Sequence, residues 1–168
     1  MTVMLIASAI LAVSFLGVAV WRLKELPESI SSMVYTLRHR WLWTLWLWAV
    51  SFLTCMPAIT ALGRIGMGFL GFGTLACLLF CGAMPLFLKD NTTAHWVSGT
   101  AGCVLSQLSV WFIGCDWLFA WTLFPFLMGS VFIQPTGWLA KAVEHRGVLV
   151  AECVCYISYE GSLLMYYL

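Results

Sequence analysis

Residues 90–112 read DNTTAHWVSGTAGCVLSQLSVWF. Placed on an α-helix from His95, His95, Ser98, Gly99, Gly102, Ser106 and Ser109 fall within about 60° of one line at 100° per residue. Val97, Ala101, Val104, Leu108 and Phe112 fall on the opposite side. A helix with a small, polar stripe and an apolar flank predicts that the stripe is turned away from lipid and covered by other helices.

The rest of the chain supplies those helices. Hydrophobic residues make up 62% of the 168 and charged residues 9%, against roughly a quarter charged in a soluble domain. This is too little polar surface to face water, which excludes a soluble globular domain. The net charge of +1 says nothing about nucleic acid, and with no Lys/Arg cluster to suggest binding, nucleic acid is not expected as a partner. Six of the seven cysteines lie inside apolar runs, where Cys acts as a small hydrophobe; Cys115 is the exception, and no CxxC pair occurs. Disulfides and a zinc–thiolate site are not expected.

At about 20 apolar residues per crossing, six spans are expected, at 3–21, 41–62, 65–88, 95–114, 117–134 and 147–167. The expected fold is therefore an all-α, polytopic transmembrane helix bundle forming one domain over residues 1–168. Val3 to Val20 is read as a retained span, since its basic residues follow rather than precede it. Five glycines between Gly63 and Gly73 predict close helix approach and an irregular start to span 3; Pro57, Pro85 and Pro125 predict bends.

Arg22, Lys24, Arg38, Arg40, Lys89, Lys141 and Arg146 fall on one side of this topology and Arg64 on the other. That bias puts loops one, three and five in the cytoplasm and both termini outside, in a cell (inner) membrane. Trp21, Trp41, Trp43, Trp96, Trp117 and Trp138 lie near span ends, as an aromatic belt requires. In loop one, Ile30, Met33, Val34 and Leu37 recur at helical spacing. They predict an interfacial helix whose Arg38 and Arg40 meet anionic headgroups. Loop five repeats this on a smaller scale, with Thr136 as N-cap, Trp138, Leu139 and Ala142 as the apolar side and Gly147 as the stop. Membrane lipids are the expected partner, with a homo-oligomer open.

The polar groups inside this frame are few. His39, His95 and His145 each begin an even-numbered span and so share one leaflet; Asp90 precedes His95, and Glu152 follows His145. Such a set can hold a divalent metal, relay protons or bind a polar substrate. No organic cofactor is expected; a divalent metal on His95, Asp90, His39 and His145 is the one cofactor the residue types admit. Glu152 and Glu160 lie within span 6, with Tyr156 and Tyr159 on or beside their face. An ionisable group at that depth costs a few kcal/mol and faces a protein interior. The candidate polar site is Asp90, His95, Ser98, Ser106, Glu152, Tyr156 and Glu160, facing the cytoplasm between spans 4 and 6, with His95 and Glu152 as its paired members.

Phe87-x-x-Asp90-x4-His95-x-x-Ser98-Gly99, the Ser29–Tyr35 run and Glu152 resemble a loose group of uncharacterised small polytopic membrane proteins of gut bacteria and their phages, which implies the membrane fold and no particular activity. The acidic-then-His pattern is also similar to the alkaline-ceramidase and progestin-receptor-like superfamily. That likeness implies a membrane zinc hydrolase site of Ser, Asp and three His, carried by Asp90, Ser98 and His95, and requires His39 and His145 to converge on them. Those proteins have seven spans and a late His-x3-His pair; six spans are expected here, and the pair is absent.

Three functions fit these residues. The first is a small-solute, ion or proton pathway, or ligand binding, along the span 4 stripe with Glu152 as ionisable partner. The second is a metal-dependent intramembrane lipid hydrolase with Glu152 as general base. The third is an accessory or structural membrane protein acting through loop one. No nucleotide-binding loop, HExxH or GxSxG is present, which counts against the second, and whether the chain is an enzyme stays open.

Overall fold

The computed structural model describes residues 1–23, Pro27, 29–31, 33–87, 92–114 and 147–168. These form α1 (Thr2–Leu23), α2 (Met33–Thr36), α3 (Arg40–Gly63), α4 (Gly68–Phe87), α5 (Thr92–Phe112) and α6 (Gly147–Tyr167). No strand occurs among the described residues. The expected span at 117–134, the loop-five helix, Cys115, Pro125, Trp117 and Trp138 lie outside them.

Four helices, α1, α3, α4 and α6, are long and apolar enough to cross a membrane, which marks an integral membrane protein. At 21 residues α5 has the length but not the apolarity. The physical reason is the stripe: His95, Ser98, Ser106, Gln107 and Ser109 are all buried, while Val97, Val104, Leu108 and Phe112 face outward. Helix ends fall within three residues of the spacing argument.

α3 packs on α1 and α4, α4 on α5, α5 on α6, and α6 back on α1 and α3. Two apolar clusters mark the ends of this ring. One gathers Ala12, Ala19, Trp43, Trp46 and Cys81; the other Leu5, Cys55, Leu62, Leu70, Val110 and Leu163. So α1 and α4 run one way along the bundle, and α3, α5 and α6 run the other.

The glycine-rich stretch does two separate jobs. Gly66, at φ +76°, closes α3: its N–H reaches Gly63 O at 3.2 Å and the Met67 N–H reaches Leu62 O at 2.9 Å, the paired bonds of a Schellman cap. Inside α4, a Cβ on Gly71 would stand 2.8 Å from Ile59 Cγ1 and 3.0 Å from the Ile59 backbone, so α4 lies against α3 there with no room for a side chain. The same logic corrects the expectation for α5. Gly99 and Gly102 admit a close neighbour, but it is α4, through Cys81 and Leu78, rather than α6.

Loop one departs further from its expected form. Met33 to Thr36 is a single helical turn, and Met33 and Val34 are fully buried in the cluster of Trp43 and Trp46, with Ile30 and Leu37 packed on it. The apolar stripe is real, but its partner is the bundle. Arg38 is exposed. Arg40 instead turns to its own fold, with its guanidinium 5.5 Å from the Tyr35 ring centroid and 3.5 Å from Pro85 O. Burial pushes the Tyr35 hydroxyl above its ordinary range, and the Arg40 charge offsets part of that.

Candidate functional site

The polar interior is built around two proline-altered helices and one tryptophan. Pro85 has no N–H, so the carbonyl of Cys81, four residues earlier, loses its helical donor. His95 of α5 supplies the replacement: its Nδ1 lies 3.0 Å from Cys81 O and 3.5 Å from Cys81 Sγ. A carbonyl only accepts, so the Nδ1 atom carries the proton and Nε2 presents a lone pair. Nε2 is buried and has no partner among the described residues. The rings of Trp43 and Tyr35 stand 5.8 and 5.9 Å away.

Glu152 is engaged elsewhere. Its carboxylate accepts the Ile30 N–H and hydrogen bonds from Ser31. The Ile30 carbonyl in turn accepts the Trp43 indole N–H at 3.1 Å. One residue of loop one, Ile30, is therefore held from both sides, by α6 through Glu152 at its N–H and by α3 through Trp43 at its carbonyl. Trp46 and Trp48 act the same way, donating to Leu11 O of α1 at 3.2 Å and Leu79 O of α4 at 2.9 Å. Trp43 is 1% exposed, which removes it from the expected aromatic belt; Trp21, Trp41 and Trp96 remain outward-facing.

A third group crosses α1, α3 and α6. Thr54 Oγ1 donates to Glu160 Oε2 at 2.8 Å. Ser8 Oγ lies 2.7 Å from Thr54 Oγ1 and 2.8 Å from the Tyr156 hydroxyl. Each hydroxyl has one proton. Once Thr54 gives its own to Glu160, Ser8 must donate to Thr54, and Tyr156 to Ser8. The chain thus runs in one direction, Tyr156 to Ser8 to Thr54 to Glu160. Glu160 is 4% exposed, and its Oε1 has no partner among the described residues. A fourth group ties α5 to α6: Gln107 Nε2 donates to Cys155 O at 3.1 Å, and Ser158 donates to Gln107 Oε1 at 3.1 Å.

No family model, no curated protein and no solved structure matches this chain.

The residues expected to form one site between spans 4 and 6 are divided among these groups. Tyr156 and Glu160 are joined, but through α1 and α3. His95 and Glu152 are not hydrogen-bonded to each other: α4 takes the histidine and loop one takes the carboxylate. Ser98 donates to Ala94 O and His95 O, and Ser106 to Cys103 O, so both bond within their own helix. Asp90 and His145 lie outside the described residues. His39 is exposed beside Trp41, whereas His95 is buried. Among the described residues no three His, Cys, Asp or Glu side chains stand close enough to hold a metal ion.

Ser8, Thr54, Gln107 and Ser158 carry much of this interior and had not been singled out from the sequence. Ser8 and Thr54 are isolated hydroxyls in apolar spans, and such residues commonly bond their own helix. Gln107 did leave a signal, as the one amide side chain inside an expected crossing between His95 and Gly114.

Proposed function

We propose that this chain conducts protons across the membrane, alone or coupled to a small solute or ion, with Glu160 as the carboxyl that is loaded and unloaded. The observation that carries this reading is the directed chain from Tyr156 through Ser8 and Thr54 to a buried carboxyl with an open oxygen. A proton arriving at the Tyr156 oxygen moves one along each hydrogen bond. Each hydroxyl gains one proton as it releases one, and Glu160 alone changes state. Glu152 lies four residues before Tyr156, about 6 Å along the helix axis at 1.5 Å per residue, and stands between the relay and the loop-one end of the bundle.

Six crossings belong to this proposal, with loops one, three and five cytoplasmic and both termini outside. It is supported by the common direction of α5 and α6: Gly114 and Gly147 lie at opposite ends of the bundle, so one further crossing connects them, and the apolar run at 117–134 has the length for it. In intact cells, a membrane-impermeant maleimide should label Ile65→Cys above the background of the native cysteines and spare His39→Cys. The reverse pattern would invert the orientation and put Glu152 at the outer face.

Flux is tested in proteoliposomes holding a pH-sensitive dye, with a potassium gradient and valinomycin setting the voltage. The wild-type protein should acidify the lumen, Glu160→Gln should reduce the rate to that of empty vesicles, and Thr54→Val, which removes the hydroxyl that donates to Glu160, should slow it by about tenfold or more. Glu160→Gln protein that elutes as the wild type does and conducts at the wild-type rate would sink the reading.

A further inference from the structure

We infer that the Glu160 cluster is also a binding site for a small monovalent cation, Na⁺ or Li⁺, taken up in exchange for the proton. The inference rests on the proton reading for its function, though not for the binding itself.

The donor set is the first argument. Ser8 Oγ, Thr54 Oγ1, the Tyr156 hydroxyl and Glu160 Oε2 are linked across three helices by contacts of 2.7–2.8 Å, and Oε1 of the same carboxyl is buried with no hydrogen-bond partner among the described residues. All five are oxygens. Neutral hydroxyls and a carboxylate suit hard cations, and among the described residues no nitrogen or sulfur ligand bonds to Glu160 to favour a transition metal. The charge is the second argument. One carboxylate balances one positive charge; a divalent ion would leave a net charge in the bilayer interior, at a cost of several kcal/mol.

The open oxygen is the third. Glu160 is buried, yet its Oε1 has no hydrogen-bond partner among the described residues, and a buried polar atom left so is costly. A cation seated on the carboxylate would engage both oxygens.

The exchange balances. A protonated Glu160 releases H⁺ as Na⁺ enters, and the site is electrically neutral before and after. The three hydroxyls then turn their lone pairs to the ion in place of donating along the chain. Among the described residues, the groups near Glu160 from the helices around it are Ser8 of α1, Thr54 and Cys55 of α3 and Tyr156 of α6. No lysine, arginine or histidine among the described residues hydrogen-bonds to it, so no fixed cation occupies the place of a mobile one.

The test is direct binding of ²²Na⁺ to the purified full chain in detergent, by scintillation proximity. Binding should saturate, be displaced by Li⁺ but not by choline, and weaken about tenfold for each unit the pH is lowered once Glu160 is mostly protonated, as one-for-one competition requires. Glu160→Gln should abolish it, and Tyr156→Phe and Thr54→Val, each lacking one oxygen, should weaken it. Elution on size exclusion as for the wild type shows that the variants fold. Absent binding, or binding that Glu160→Gln retains, overturns the cation site. If proton flux in vesicles is still lost in Glu160→Gln, the proton reading survives that result. Saturable ²²Na⁺ binding with no proton flux would overturn the proton reading and leave the site standing.

Discussion

Trp43→Ala is expected to lower the unfolding free energy by about 3–5 kcal/mol, the range for emptying a large buried aromatic site. Three losses coincide there. The indole is among the largest fully buried side chains of the described residues; it packs on His95 and tilts against Trp46; and its N–H holds the Ile30 carbonyl. Trp43→Phe separates them. A ring remains, the hydrogen bond goes together with part of the indole volume, and the expected cost falls to about 1–3 kcal/mol for the orphaned carbonyl plus a smaller cavity cost than in Trp43→Ala. Unfolding in mixed micelles measures both. Limited proteolysis adds a local readout, since loop one should become cleavable near Ile30 in both variants before the helices do. A Trp43→Ala cost below about 1 kcal/mol would mean that loop one is not anchored through this residue.

The second large effect is conditional, and its conditionality is the point. His95→Ala removes the donor to the Cys81 carbonyl and leaves that buried acceptor unpaired, at an expected cost of about 1–3 kcal/mol. Pro85→Ala restores an N–H four residues after Cys81, so the helix can satisfy the carbonyl by itself. In the Pro85→Ala background, His95→Ala should therefore cost about 1 kcal/mol less than in the wild-type chain. Equal costs in the two backgrounds would show that the histidine's hydrogen bond carries no stability and that His95 matters only as filled volume. The same cycle asks whether His95 belongs to the fold or to the transport path. If it is a substitute donor for a proline-altered helix, proton flux should survive in the double variant.

The two experiments probe opposite sides of one arrangement. Trp43 touches the histidine with its ring and holds the Ile30 carbonyl with its N–H, and Glu152 holds the N–H of the same residue from α6. His95 and Glu152, expected to pair, are thus linked through Trp43 and the backbone of Ile30 rather than by a bond of their own.

Much of the fold was legible in residue order. Membrane crossing follows from apolar length and scarce charge, and the α5 stripe follows from spacing alone, because hiding polar side chains from lipid leaves one orientation for the helix. His95, Ser98, Ser106 and Ser109 are buried and Val97, Val104 and Leu108 exposed, as the 100° rule required. What periodicity does not contain is the identity of the covering helix. It says that a stripe faces protein, not that α4 covers His95 while α6 meets Gln107. The apolar stripe of loop one carried the same ambiguity. A row of Ile30, Met33, Val34 and Leu37 fits lipid or protein equally well, and only the tertiary structure turned it onto Trp43.

The polar cluster was the least legible part. Glu160 announced itself, since a carboxylate in a crossing needs a partner, but Ser8 and Thr54 are ordinary hydroxyls whose importance comes from lying 2.7 Å apart across two helices. Prolines belong between these cases. Their position told which carbonyls would lose a donor, Leu53 and Cys81, and the tertiary structure decided what answers one of them, a histidine at Cys81. The sequence by itself determined the membrane class, the helix limits and the buried face of α5, because these are one-body consequences of hydrophobicity and helical period. The tertiary structure alone decided which polar groups meet, because hydrogen bonds between helices depend on distances that no single helix contains.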